Sequence, residues 1–239
     1  MCIVSYIPTG KSSFVLSSNR DESPQRLVSE ISSIFNNGEE VIYPKETKGG
    51  SWIFASSAQQ VICVLNGGFI KHKHNPPYAK SRGLIMKDFF GYKDAIAFFS
   101  EVDLYKIEPF TLVVFDLNRL YEFVWDGLLK HVKELNTQLK HVWSSSTLYS
   151  PEVQMQRQQW FDDWFEKNPE LSLENIALLH KKGGEGDLKN GYVMNRNNIV
   201  CTVSITHIIK REFNIEMIYN DLIKGKTIKS EVKINQLLA

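Results

Sequence analysis

The apolar residues of this chain change period in blocks. Strand-like runs come first, then helical spacing, then strands, helices and strands again. A chain alternating strand and helix would build a doubly wound parallel sheet, whereas segregated blocks build antiparallel sheets covered by helices. Cys2 to Ile7 is a short apolar run, Pro8-Thr9-Gly10-Lys11 is turn chemistry, and Ser13 to Ser18 is a second run, so the chain opens on a hairpin. Asn36-Asn37-Gly38 marks another turn. Ser51 to Ser56 and Gln60 to Leu65 read as adjacent strands, opened by Gly49-Gly50 and closed by Asn66-Gly67-Gly68.

Helical spacing appears at Leu84, Ile85, Phe89, Ala95, Ile96, Phe98 and Phe99, interrupted at Gly91-Tyr92. Phe110 to Asp116 and Leu120 to Trp125 return to strand composition. Ser150 is placed to cap a helix whose first turn carries Pro151 and Glu152, and Ser172 to cap another over Leu171 to Leu179. Lys181 to Gly191 has the composition of a mobile loop, and two strands near 199–206 and 213–219 close the chain. With no repeat and no long linker, residues 1–239 form one expected domain.

The 239 residues carry 28 Lys plus Arg against 27 Asp plus Glu, a net charge of +1 that gives no global grip on nucleic acid. No apolar run reaches the roughly 18–20 residues of a membrane-spanning helix. The leading MCIVSYIPTGKSS lacks the form of a secretory signal, and three scattered cysteines suit a reducing compartment; both features point to the cytoplasm. Gly10-Lys11-Ser12 imitates a phosphate loop, but Ser5 stands where that motif needs glycine. Lys71-His72-Lys73-His74 has no partner at zinc spacing and reads as a solvent-facing loop; a substrate contact or haem ligation is the alternative. Cys63 and Cys201 lie in apolar runs as packed thiols. Trp160, Phe161, Trp164 and Phe165 give one helix a broad aromatic face for core packing, with a partner or lipid surface as the alternative. No metal or cofactor is expected.

Cys2 stands out by position. Once Met1 is removed, its carbon holds both a thiol and an α-amine. That amine has an unperturbed pKa of about 7.7–8.0 and can take the thiol proton, the base role histidine fills elsewhere. Position alone also fits a small hydrophobe packed in the first strand. Asn19-Arg20-Asp21-Glu22 follows directly on the second strand, so hairpin pairing brings four polar groups towards residue 2. An Arg there can sit beside a thiolate and a carboxylate beside the ammonium.

These residues together resemble the NRDE family, whose eukaryotic members are the transport and Golgi organisation proteins. The resemblance rests on MCIV, Asn19-Arg20-Asp21-Glu22, Gly49-Gly50-Ser51-Trp52, Leu65-Asn66 and Ser81-Arg82-Gly83. It implies an α+β, four-layer αββα sandwich of the N-terminal nucleophile hydrolase type with two mainly antiparallel sheets, similar in its first strands to bile-salt and penicillin-V amidases. It further implies Cys2 as nucleophile, Arg20 and Asp21 as its orienting neighbours, and Asn66 as an oxyanion donor, with Asn19, Glu22 and Trp52 as supporting or substrate-binding residues. Ser145 stands where the resemblance leads one to expect Asn, which removes a second amide donor. The expected reaction is hydrolysis of a non-peptide C–N amide in a small molecule. The alternative is a binding or trafficking protein on the same fold, carrying an acyl lipid or haem.

Overall fold

The computed structural model describes residues 3–26, 28–47 and 49–235. In chain order the strands are β1 (Ile3–Gly10), β2 (Ser13–Glu22), β3 (Val28–Asn36), β4 (Glu39–Glu46), β5 (Ile53–Ser56) and β6 (Val61–Asn66). Helix α1 (Arg82–Asp88), a 3-10 turn (Phe89–Gly91) and α2 (Ala95–Glu101) follow. Next come β7 (Phe110–Asp116), β8 (Arg119–Trp125), β9 (Lys130–Leu135) and β10 (His141–Ser144), then α3 (Pro151–Lys167) and α4 (Leu173–Lys182). The chain closes with β11 (Asn195–Arg196), β12 (Val200–Lys210), β13 (Asn214–Asp221) and β14 (Lys226–Lys233).

Two antiparallel sheets result. One has the order β10-β1-β2-β12-β13-β14, with β11 appended to β12; the other is a meander from β3 to β9 in sequence order. The opening hairpin forms as expected, with Ile3 opposite Asn19 and Tyr6 opposite Leu16. The Asn37-Gly38 turn joins β3 to β4 with both residues at positive φ, 52° and 82°, which is why an Asn-Gly pair serves there. The closing strands run longer than the expected 199–206 and 213–219.

Period-2 alternation sorts side chains into layers. Phe14 of β2 and Phe115 of β7 meet between the sheets with ring centroids 4.6 Å apart. Ile3, Ile7 and Val15 point the other way and pack with Phe161 and Phe165 of α3 and Ile176 and Leu179 of α4. On the far side of the second sheet, Phe99 of α2 stacks on Phe123 of β8 at 4.4 Å, and Phe90 lies 5.8 Å from Phe54. Each such buried aromatic contributes about 1.5–3 kcal/mol through the area it removes from water. Helices therefore cover the outer face of each sheet, giving the four-layer αββα sandwich. Among the described residues no helix is long and apolar enough to cross a membrane.

Local signals hold unevenly. Ser172 caps α4 by accepting from Asn175 N–H, whereas Ser150 occupies the cap position of α3 without a side-chain cap bond. The glycine-rich stretch after α4 is closely packed: a Cβ on Gly184 would lie 2.3 Å from the Trp160 ring, and Asp187 accepts from the N–H groups of Lys189 and Asn190.

Candidate active site

Strand β2 carries the polar tetrapeptide, and its alternation divides it. Arg20 shares a face with Leu16, towards the second sheet, while Asn19 and Asp21 face the layer of α3 and α4. Asn19, fully buried, donates to the carbonyls of His180 (2.9 Å) and Tyr192 (2.7 Å) and meets His180 Nδ1 through its side-chain oxygen at 2.6 Å. Ser5 Oγ lies 2.7 Å from His180 Nε2, so Asn19 binds α4 to the first two strands. Its amide is fully committed to holding the fold. Nearby, Ser17 Oγ meets His207 Nδ1 at 2.7 Å. Burial holds the His180 pKa well below the usual imidazole range and His207 at about 4, so both rings are neutral at pH 7.

Asp21 accepts from Tyr149 OH at 2.7 Å and from Thr202 Oγ1 at 2.6 Å. The register shift of β12 between Thr202 and Ser204 sets Thr202 opposite Asp21 and Ser204 opposite Arg20. Tyr149 is itself held by the Arg157 guanidinium, 4.0 Å from its ring centre. Arg20 and Asp21 thus lie on opposite faces, each fixed by its own partners.

Arg20 is 2% exposed. Its Nη2 pairs with Glu46 Oε1 at 2.5 Å, its Nη1 donates to Arg26 O at 3.0 Å, and its plane lies 4.6 Å over the Trp52 ring. Arg26 bridges Glu46 (2.6 Å) and Glu22 (2.5 Å). Burial works to raise the Glu22 pKa, but the Ser23 N–H and the Arg26 charge outweigh it and hold the carboxyl below its ordinary value.

These groups wall a polar cleft of about 370 Å³ that also takes in Asn66, Ser81, Arg82, Gly83 and Glu108. Segments far apart in sequence, the end of β2, Gly50-Ser51-Trp52, Asn66 and Ser81-Arg82-Gly83, converge there. Gly83 is needed for close approach: a Cβ on it would sit 2.5 Å from the Ser51 carbonyl oxygen. Glu108 anchors the rim, pairing with Arg82 Nη2 at 3.0 Å and with His72 and His74 at 3.0 and 3.1 Å. Both imidazoles of the Lys71–His74 segment therefore converge on one carboxylate.

Asn66 ends β6 half-buried, and its side-chain amide makes no hydrogen bond within the described residues. Its backbone carbonyl accepts from Ser145 Oγ at 2.7 Å. Ser145 is thus a link between the ends of β6 and β10. A second cleft, about 380 Å³, opens beyond that link, where Leu65, Phe69, Val124, Val142, Trp143 and Met155 alternate with polar groups such as Glu122, Gln154 and Gln158. Among the described residues no cluster of three or more His, Cys, Asp or Glu is arranged to hold a metal. Cys63 and Cys201 are buried; burial pushes the Cys63 thiol up to about 12 and raises that of Cys201 with help from Asp21.

Cys2 lies outside the described residues. Sequence reasoning missed Glu46, Arg26, Glu108, Tyr149 and Thr202. Only Arg26 left a local signal, four residues after Glu22; the others arrive through strand pairing across the sandwich.

The model of the Transport and Golgi organisation 2 family matches residues 1–187. The chain belongs to that family. No curated protein matches it in sequence. Among solved structures it is similar to two variants of conjugated bile acid hydrolase from Clostridium perfringens. One has TM-score 0.59 at 9% identity, covering 99% of this chain and 97% of that one; the other has 0.56 at 9%, covering 98% and 97%. Penicillin V acylase from Agrobacterium tumefaciens is similar at TM-score 0.57 and 10% identity, covering 96% and 85%. At such identity these likenesses carry the fold alone. This member of the Transport and Golgi organisation 2 family has the N-terminal nucleophile hydrolase fold.

Proposed function

We propose that the protein is an N-terminal cysteine amidohydrolase acting on a non-peptide C–N amide of a small molecule. The observation that carries this reading is the convergence of Arg20, Trp52, Asn66 and Arg82 on one cleft at the strand end where β1 begins. Cys2 is bonded to Ile3, whose ladder partners are Asn19 and Ser144. One step beyond those partners are Arg20 and Ser145, the groups a nucleophile attached to Ile3 would meet.

In this reading, removal of Met1 gives Cys2 a primary amine. The amine takes the thiol proton and the sulfur attacks the amide carbonyl carbon. The oxyanion that forms is met by the uncommitted Asn66 amide and a backbone N–H; the Gly67 N–H is already given to Pro109 O at 3.0 Å. The ammonium returns its proton to the departing nitrogen, the C–N bond breaks, and a thioester remains. Water, deprotonated by the same amine, then attacks the thioester, releasing the carboxylic acid and restoring the thiol. Arg20 favours thiolate, with its charge partly offset by Glu46, and Asp21 orients the amine.

One observation favours a second reading. Ser145 spends its hydroxyl on Asn66 O, and the adjoining cleft presents Leu65, Phe69, Val124, Val142, Trp143 and Met155 beside polar groups such as Glu122 and Gln154. The same sandwich would then hold an acyl chain or haem without chemistry. Assay of the purified protein against a panel of N-acyl amides separates the two. Cys2→Ala and Cys2→Ser are expected to abolish turnover while circular dichroism stays unchanged. Turnover by Cys2→Ala at the parental rate contradicts the enzyme, and stoichiometric ligand uptake with no acylation supports the binding protein.

A further inference from the structure

Two loop tips carry large apolar side chains into solvent. In the loop after β6, Phe69 and Ile70 are 55% and 75% exposed; in the turn joining β8 to β9, Leu128 and Leu129 are 79% and 57% exposed. The tips adjoin. The Phe69 ring meets the His131 ring edge-on at 4.9 Å, and Gly68 lies so close to the Trp125–Asp126 backbone that a Cβ on it would be 3.1 Å from the Trp125 carbonyl oxygen. Between them is a hollow of about 440 Å³ bordered by Phe69, Ile70 and Leu128. Leaving such residues exposed together is costly in water and marks a surface that something covers.

Charge indicates the occupant. Residues 67–80 and 126–133 hold five lysines against the single acid Asp126, in a chain whose net charge is only +1. Lys80 lines the polar cleft and is paired with Asp88, and Lys130 donates to the Ser100 and Val102 carbonyls, which leaves Lys71, Lys73 and Lys133 for this surface. Asp126 is itself neutralised, accepting from Leu128 and Leu129 N–H and pairing with His131 at 2.7 Å. Lys71 and Lys73 directly follow Ile70 and are exposed. Apolar side chains at loop tips with lysines behind them suit a layer whose interior is hydrocarbon and whose surface is anionic.

We infer that the Phe69-Ile70 and Leu128-Leu129 tips form a docking surface for an anionic lipid bilayer. The apolar side chains enter the interface and the lysines meet the headgroups. This surface is separate from the polar cleft, and its occupation needs no catalysis.

Co-sedimentation with vesicles tests it, using phosphatidylcholine alone and phosphatidylcholine with one-third phosphatidylserine. The parent is expected to sediment with the anionic vesicles, less so as salt is raised. Ile70→Glu combined with Leu128→Glu is expected to lower the bound fraction at least about tenfold. Lys71→Glu alone should lower it about fivefold or more, with a thermal melt confirming that each variant is folded. The inference is overturned if the parent ignores anionic vesicles or if the double variant binds as the parent does. It is equally overturned if the parent is a dimer in solution that the double variant dissociates, since a second copy then covers the tips.

Discussion

The Arg20 guanidinium lies 4.6 Å over the Trp52 indole, so one family-motif residue seats the cation of another. Such a contact holds the plane of the Arg while its edge remains available to Glu46. Arg26 then shares the Glu46 carboxylate from the solvent side. The pair is buried at one end and open at the other, and the two arginines should behave differently.

Arg20→Ala leaves the Glu46 carboxylate without its buried partner and removes the group stacked on Trp52. The expected cost is about 3–5 kcal/mol in urea denaturation. Arg26→Ala, at a side chain 49% exposed, should cost below about 1 kcal/mol. Equal losses for the two would show that burial does not set the strength of this network.

Gly83→Ala drives a methyl group into the Ser51 carbonyl oxygen, a backbone atom that cannot swing aside. The variant is expected to lose about 1–3 kcal/mol through displacement of α1 from the Gly50–Trp52 segment. Gly91→Ala, where a Cβ would meet nothing within 4 Å, serves as the control and should change stability by much less. Similar losses at both sites would contradict the close approach at Ser51.

Acid should weaken the fold through its buried imidazoles. His207 is held at about 4 by burial, and His180 is also lowered, while the unfolded chain protonates both near 6.5. Their contribution is complete above pH 6.5 and is lost as pH falls below it, for His207 as pH approaches about 4, because the unfolded state takes up protons first. His207 alone accounts for about 3 kcal/mol across that window. Stability of the parent and of His207→Gln, measured from pH 7 to 4, should show a shallower slope in the variant; parallel slopes would remove His207 from the account.

Legibility followed burial. The strands with dense apolar runs, β1, β2, β5 to β8, β12 and β13, were readable because both faces or one whole face enter a core. The four edge strands were not, nor was interior β4, whose buried Val41 to Pro44 are flanked by charged residues. β9 reads KHVKEL and β14 reads KTIKSEVK, where lysines guard unpaired backbone edges and conceal the alternation. β3 and β10 close the other edges, the latter with only four residues. In the site, Arg20 was indicated by the opening hairpin and Trp52 and Asn66 were implied by the family resemblance, and the three do share the cleft. Asn19 was named with them, yet a one-residue step along β2 turns it to the opposite face. Glu46, Glu108 and Tyr149 reach their partners only through long-range pairing, which leaves no mark in local sequence.

Asn66 and Ser145 are expected to part company in kinetics. If Asn66 donates to the oxyanion, Asn66→Ala should lower the acylation rate about 10²–10³-fold with little change in stability. Ser145→Ala removes the bond to Asn66 O and should cost about 1 kcal/mol of stability, with a much smaller rate effect. The reverse ranking, read by single-turnover acylation, would move the donor role to Ser145.

The catalytic proposal rests on a processed first residue that reacts while the buried thiols do not. Intact mass before and after treatment with an electrophilic amide or lactone, followed by peptide mapping, tests this most directly. The expected result is a chain lacking Met1 that gains one acyl adduct, located on Cys2, with Cys63 and Cys201 unmodified. A chain that retains Met1 in its purified form, or an adduct distributed over Cys63 and Cys201, would contradict it.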